Sequence, residues 1–133
     1  MSFPEAVISY FTKWLNFKTR SSRSEYWWAV LFLNIAFFVL SIIIAWCLPA
    51  ILSIPGCPIG IVIAVVGIAQ FIVQIFCTIA GIALMTRRLH DVDKSGWWQL
   101  LSFTGFGIIP LLIWACRKGT EGENRFGKDP LGN

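Results

Sequence analysis

Charge is missing from the middle of this sequence. The 61 residues from Tyr26 to Thr86 contain no Asp, Glu, Lys, Arg or His. The chain has a single histidine, and its four cysteines, Cys47, Cys57, Cys77 and Cys116, form no CxxC pair. A structural zinc site or a thioredoxin-like site needs clustered thiols or imidazoles, so neither is expected. No nucleophile elbow, phosphate loop, HExxH or paired-carboxylate motif occurs. No metal, cofactor or catalytic residue set is therefore assigned from motifs. Nor is a cleavable signal peptide apparent. The first apolar run is too long for a signal h-region and lacks a small-residue cleavage site. Trp46 immediately before Cys47 argues against lipoprotein processing.

What is present is apolar. Of 133 residues, 56% are hydrophobic and 14% charged, the latter about half the usual share. A soluble domain of this size cannot bury that much apolar surface, whereas a bilayer can. Eleven basic and seven acidic residues leave a net charge of +4. The basic residues flank the apolar runs, which points to anionic headgroups rather than nucleic acid. Cys77 falls mid-membrane as an inert apolar side chain. Cys47 and Cys57 flank one loop, and a disulfide between them is conditional on that loop being periplasmic.

Residues 2–17 read as an amphipathic helix. Ser2 and Glu5 have capping-box spacing, and Pro4 lies in the first turn, where its missing N–H costs little. Phe3, Val7, Tyr10, Phe11 and Trp14 share one side. Such a helix is too polar to span, and its aromatic content favours a place in the membrane interface over simple packing on the bundle. Residues 26–48 form a first span, roughly 35 Å of helix. Residues 49–58, "PAILSIPGCP", hold three prolines and read as a turn. Residues 59–86 form a second span. Residues 97–116 are long enough for a third, but Gly105, Gly107 and Pro110 interrupt them. A kinked span is preferred slightly over a re-entrant hairpin. Residues 117–133 are a polar, turn-rich tail. The fold class is thus an all-α integral membrane protein in one domain: an interfacial amphipathic helix plus a small bundle of three apolar segments, the third kinked or re-entrant.

The distribution of Lys and Arg orients the chain. Lys13, Lys18, Arg20 and Arg23 precede the first span, and Arg87, Arg88 and Lys94 follow the second, while the Pro-rich loop has none. The positive-inside rule places the N-terminus and the 87–96 loop in the cytoplasm. Arg117, Lys118, Arg125 and Lys128 also look cytoplasmic, which conflicts with three full spans.

Two groups of residues stand out. Gly67, Gln70, Gln74, Thr78 and Gly81 make a stripe of small and amide side chains along the second span. Ordinary intramolecular packing is the preferred reading, with a homo-oligomer seam or a polar conduit as alternatives. The second group is charged: Arg20, Arg23 and Glu25 at one membrane level with Arg87, Arg88, His90 and Asp91. It binds lipid or a partner, or it is a structural cluster. Asp91 would orient Arg87 or Arg88, the other arginine or both would meet Glu25, and Arg20 and Arg23 would face lipid or a partner. A proton-handling pair of His90 and Asp91 is a weaker signal.

Three stretches resemble a known family. "RSSRSEYWW", Arg20 to Trp28, is similar to its entry to the first span. "RRLHDVDKSGWW", Arg87 to Trp98, and "GTEGENRFGKDP", Gly119 to Pro130, are similar to its central and C-terminal signatures. Together they resemble the bacterial inner-membrane family of unknown function numbered 805, over nearly the whole chain. Lys18 departs, where the family often has glycine. The resemblance implies a small multi-pass protein of the bacterial inner membrane and implies no activity.

The functional expectation is a non-enzymatic interaction or scaffold module with a basic cytoplasmic ring. Its partners would be anionic lipid headgroups, with a second copy or another membrane protein as alternatives and no nucleic acid. A small transporter or channel component using Gln70 and Gln74 is the second reading. An interfacial membrane enzyme using His90 and Asp91 is the third.

Overall fold

The structure, a computed structural model, describes residues 2–55 and 58–132. Four α-helices occur in order: α1 (Phe3–Thr12), α2 (Arg23–Leu52), α3 (Ile59–Asp91) and α4 (Ile108–Cys116). A 3-10 helix, Gly96–Thr104, precedes α4. Among the described residues there is no strand, only an isolated bridge between Asn124 and Gly127 in the tail. Among the described residues two helices, α2 and α3, are long and apolar enough to cross a membrane. The conditional Cys47–Cys57 disulfide involves Cys57, outside the described residues.

Helix α1 is shorter than the 2–17 expected. The Glu5 carboxylate accepts the Ser2 backbone N–H at 2.8 Å, which holds its pKa below the ordinary value. At the other end Lys13 leaves helical geometry, and the Asn16 side chain accepts the N–H groups of Lys18 and Thr19 in a local turn. Ala6, Ser9 and Tyr10 are buried, and the Tyr10 hydroxyl donates to the Cys77 carbonyl at 3.1 Å. Phe3 lies edge-on to Trp28, and Phe11 stacks with Phe76.

Helix α2 starts at a Ser22 cap, whose hydroxyl accepts the Glu25 N–H at 3.2 Å. It then runs through Pro49 to Leu52, so the turn expected to begin at residue 49 begins later. Pro49 withdraws one donor only three residues before the last residue of the helix, so the break falls after it. The Pro49 carbonyl still accepts the Ser53 N–H at 3.1 Å. Polar side chains in the apolar stretches bond back to their own helix: Asn34 to Val30, Ser41 to Phe38 and Thr78 to Gln74. No residue of 30–55 or 58–79 is buried among those described. The protein's own core sits at the N-terminal end of α2 and the C-terminal end of α3. There Ala29, Ala80 and Leu84 pack with Tyr10, the small alanines letting the backbones approach.

The polar stripe of α3 lies elsewhere. Nothing is within 4 Å of where a Cβ would stand on Gly67 or Gly81, and Gln74 and Thr78 are exposed. Gln70 is half-buried beside Phe37, Phe38 and Ser41 of α2. Ala80, Leu84 and Arg87 face α2, and most of the stripe is rotated from them by roughly 100°.

Helix α3 ends in a Schellman turn. The N–H groups of Asp93 and Lys94 reach the carbonyls of His90 and Leu89 at 3.1 and 2.9 Å, with Asp93 at φ 57 where glycine is usual. The chain then runs back along α3. The Ser95 hydroxyl accepts the Trp97 N–H, and the Gln99 amide donates to Thr86 and Ile82. It reverses at Gly105, φ 73, and Gly107, where a Cβ would collide with the Leu101 carbonyl. Pro110 falls in the first turn of α4, where proline is tolerated. Helix α4 returns to the end of α3, where the Ala115 carbonyl accepts from Arg88. Both ends of segment 97–116 thus sit near the C-terminal end of α3.

Candidate functional site: a buried charge hub and the cleft beside it

Three arginines and two carboxylates are buried at the joined ends of α2 and α3. Arg87 and Arg88 are fully enclosed, and Arg20, Glu25 and Asp91 nearly so. Taking such ions out of water costs several kcal/mol each unless partners replace the water. The partners come from every part of the chain.

Glu25, in the first turn of α2, accepts two donors on Oε1: the Ser9 hydroxyl of α1 at 2.7 Å and Arg87 at 3.0 Å. One residue therefore ties three helices together. Asp91 divides its oxygens. Oδ1 accepts Arg20 through Nε and a terminal nitrogen, at 3.1 and 2.9 Å, and Oδ2 accepts Arg88. Arg88 also turns to the end of α4, donating to the carbonyls of Ala115, Trp114 and Arg117. Those carbonyls lack helical partners, so Arg88 acts as a cap on the negative end of α4. Arg20 donates to the carbonyls of Thr120, Gly122 and Gly127 in the tail. Two nitrogens of Arg87, together with the Ser21 hydroxyl and His90 Nδ1, are buried without a partner.

The tail, read from sequence as a polar extension, is docked on this hub. Thr120 donates its N–H to the Asp91 carbonyl at 2.8 Å, and the Asn124 amide donates to the His90 carbonyl at 2.9 Å. Gly119 passes so close to the Asp91 carboxylate that a Cβ would collide with it. Phe126 stacks on the His90 ring at 3.9 Å between centroids, and the Arg125 guanidinium lies over the Phe126 ring at 4.7 Å. Sequence reasoning missed Ser9, Thr120, Gly122, Asn124 and Gly127 as hub residues. The dense run of Gly, Thr and Asn in "GTEGENRFG" was the available signal, because such residues make close turns whose carbonyls point inward.

The structure brings together Arg20, Glu25, Arg87, Arg88 and Asp91. Arg20, expected to face lipid or a partner, is instead enclosed by Asp91 and the tail. Arg23 stays exposed, with the Cys116 carbonyl at 3.4 Å. His90 and Asp91 are not hydrogen-bonded to each other, because consecutive helical residues point in different directions. Among the described residues no group of three or more His, Cys, Asp or Glu could hold a metal ion.

Beside the hub is an open cleft of about 580 Å³. The first turn of α2 forms one wall with Ser22, Arg23 and Ser24, and Trp27 and Trp28 continue it. The tail forms the other with Lys118, Glu121 and Asp129. The Asp129 carboxylate accepts the N–H groups of Leu131 and Gly122, and these hold its pKa below the ordinary value.

The chain was compared with known proteins. The sequence model of a family described as "protein of unknown function (DUF805)" matches residues 14–128. Inner membrane protein YhaH of Escherichia coli strain K12 is 37% identical over 122 residues, covering 88% of each chain. Inner membrane protein YhaI of the same strain is 33% identical over 128 residues, covering 92% of each. No solved structure matches. With a family match over most of its length, and with charged signatures that assemble into one buried hub, the chain belongs to the DUF805 family, whose compared relatives are inner membrane proteins.

Proposed function

We propose that the chain is a non-enzymatic interaction module of the inner membrane. It crosses twice, through α2 and α3, with its N-terminus and tail in the cytoplasm. Segment 97–116 dips into the membrane and returns, and α1 lies in the interface with Ile8 and Phe11 toward lipid. The observation that carries this reading is the gathering of buried charge at one end of two long uncharged helices. A hub on the cytoplasmic side agrees with the positive-inside count, and a returning third segment removes the conflict over the basic tail. Two half-length helices reach about 15 Å each, half the hydrocarbon core.

The buried arginines organise the fold, while Arg23 and Lys118 remain exposed for headgroups or a partner. Transport has less support. The gap between α2 and α3 beside Gln70 is lined by Phe37, Phe38, Leu40, Ser41 and Ile44, a largely apolar set. An enzyme built on His90 has less still, since that ring is stacked beneath the tail. The test reconstitutes the protein in liposomes and follows ion and solute leak and lipid turnover. Rates equal to protein-free liposomes are expected. A leak abolished by Gln70→Leu would replace this reading with transport, and turnover abolished by His90→Ala would replace it with catalysis.

A further inference from the structure

We propose that the cleft between the first turn of α2 and the tail is a binding site for the phosphodiester headgroup of a membrane glycerophospholipid. Arg23 and Lys118 supply its cations, and Trp27 and Trp28 line the path of the glycerol and upper acyl chain. The proposal rests on the reading above that this end of the protein lies at headgroup level.

Four observations converge. First, the cleft has the volume of a small-molecule site, about 580 Å³, and it is open to the surface. Second, its basic side chains are not committed to the hub. Arg20, Arg87 and Arg88 are consumed by Asp91, Glu25 and backbone carbonyls. Arg23 has no carboxylate partner among the described residues, and Lys118 has only Glu121, in a pair with both side chains largely exposed. Such exposed pairs are weak and exchange readily.

Third, the cations stand where α2 begins. Its first helical bond is donated by Tyr26 to Ser22, so the N–H groups of Arg23 and Ser24 precede the ladder at the positive end of the helix. Fourth, the same wall turns apolar within one turn. Trp27 and Trp28 are partly exposed, and the exposed Leu31 and Ile35 follow along α2. Tryptophan at that level suits the boundary between headgroup and hydrocarbon. Inorganic phosphate would engage only the cationic end, whereas a phospholipid engages both. Glu121 and Asp129 on the facing wall offer acceptors to a headgroup hydroxyl or ammonium.

Cys116 lines the cleft and is exposed, so it reports occupancy. The experiment uses the full chain in mild detergent with Cys47, Cys57 and Cys77 replaced by alanine. Maleimide alkylation of Cys116 is timed against short-chain phosphatidylglycerol, short-chain phosphatidylethanolamine, diacylglycerol and inorganic phosphate. Phospholipid is expected to slow the reaction, and diacylglycerol and phosphate are not. Arg23→Ala and Lys118→Ala should each raise the half-protecting concentration about fivefold, Arg23→Lys much less, and Lys13→Ala not at all.

Equal protection by diacylglycerol, protection by phosphate alone, equal weakening by Lys13→Ala, or no protection would each overturn the site. A membrane-impermeant maleimide applied to intact cells tests the orientation separately. Labelling from outside would sink the topological reading while leaving the detergent result to judge the cleft.

Discussion

Arg20 and Asp91, 71 positions apart in sequence, meet through two hydrogen bonds to one carboxylate oxygen, 3.1 and 2.9 Å long. The other oxygen of Asp91 takes Arg88, so a single carboxylate is shared by two arginines that have almost no contact with water. Asp91→Asn should therefore destabilise the protein by about 3–5 kcal/mol, the usual penalty for leaving buried charge unpaired. Thermal unfolding in detergent measures it, and a loss under about 1 kcal/mol would mean that water reaches the hub.

Glu25 and Arg87 make the second pair, at 3.0 Å. Glu25→Arg should destabilise by a similar amount, and adding Arg87→Glu should recover part of the loss. Adding Arg88→Glu instead should make matters worse, because Arg88 holds Asp91 and the end of α4. Comparing the two double variants by the same unfolding measurement separates the partners. Equal behaviour would refute the assignment.

Much of this architecture was legible in the sequence. The uncharged run, the basic flanks and the i,i+3 spacing of Arg88 and Asp91 follow from bilayer thickness and helix geometry, which are local rules. The choice between Arg87 and Arg88 as the partner of Glu25 was left open, because it depends on how α3 is rotated against α2. The docking of the tail was not legible. Its bonds run from Arg20 to carbonyls about a hundred residues later, and backbone carbonyls leave no mark in a sequence. The role of the stripe of Gly67 and Gln74 was not legible either: small residues permit close packing but do not say which face the ion pairs select.

Gly119 is the narrowest point between tail and hub. Gly119→Ala would drive a methyl group into the Asp91 carboxylate and should push the tail off. Protease cleavage between Lys118 and Lys128 should become faster than in the parent, with stability lower by about 1–3 kcal/mol. Unchanged cleavage would show that the tail is not seated there.

The reversal of segment 97–116 depends on Gly107, where an added Cβ meets the Leu101 backbone. Gly107→Ala should lower thermal stability by about 1–3 kcal/mol. Gly67→Ala and Gly81→Ala, which meet nothing within 4 Å, should leave the monomer unchanged. If either of these instead alters the detergent-complex mass, the stripe is a seam between copies.

The orientation is checked with Ser53→Cys in a chain lacking its native cysteines. An impermeant maleimide should label it in intact cells. Labelling only after the inner face is opened would reverse the topology.

Three of the carbonyls that satisfy Arg20 belong to residues 120–127, made about a hundred residues after it. Both long helices are therefore complete before the hub can close, and for that interval the nascent protein carries an unsatisfied guanidinium at the membrane surface. A chain stopped after Lys118 keeps α1 to α4 and lacks the groups that seal Arg20. Such a chain should be cleared faster than the longer one in a pulse-chase experiment, because its Arg20 guanidinium stays unsealed.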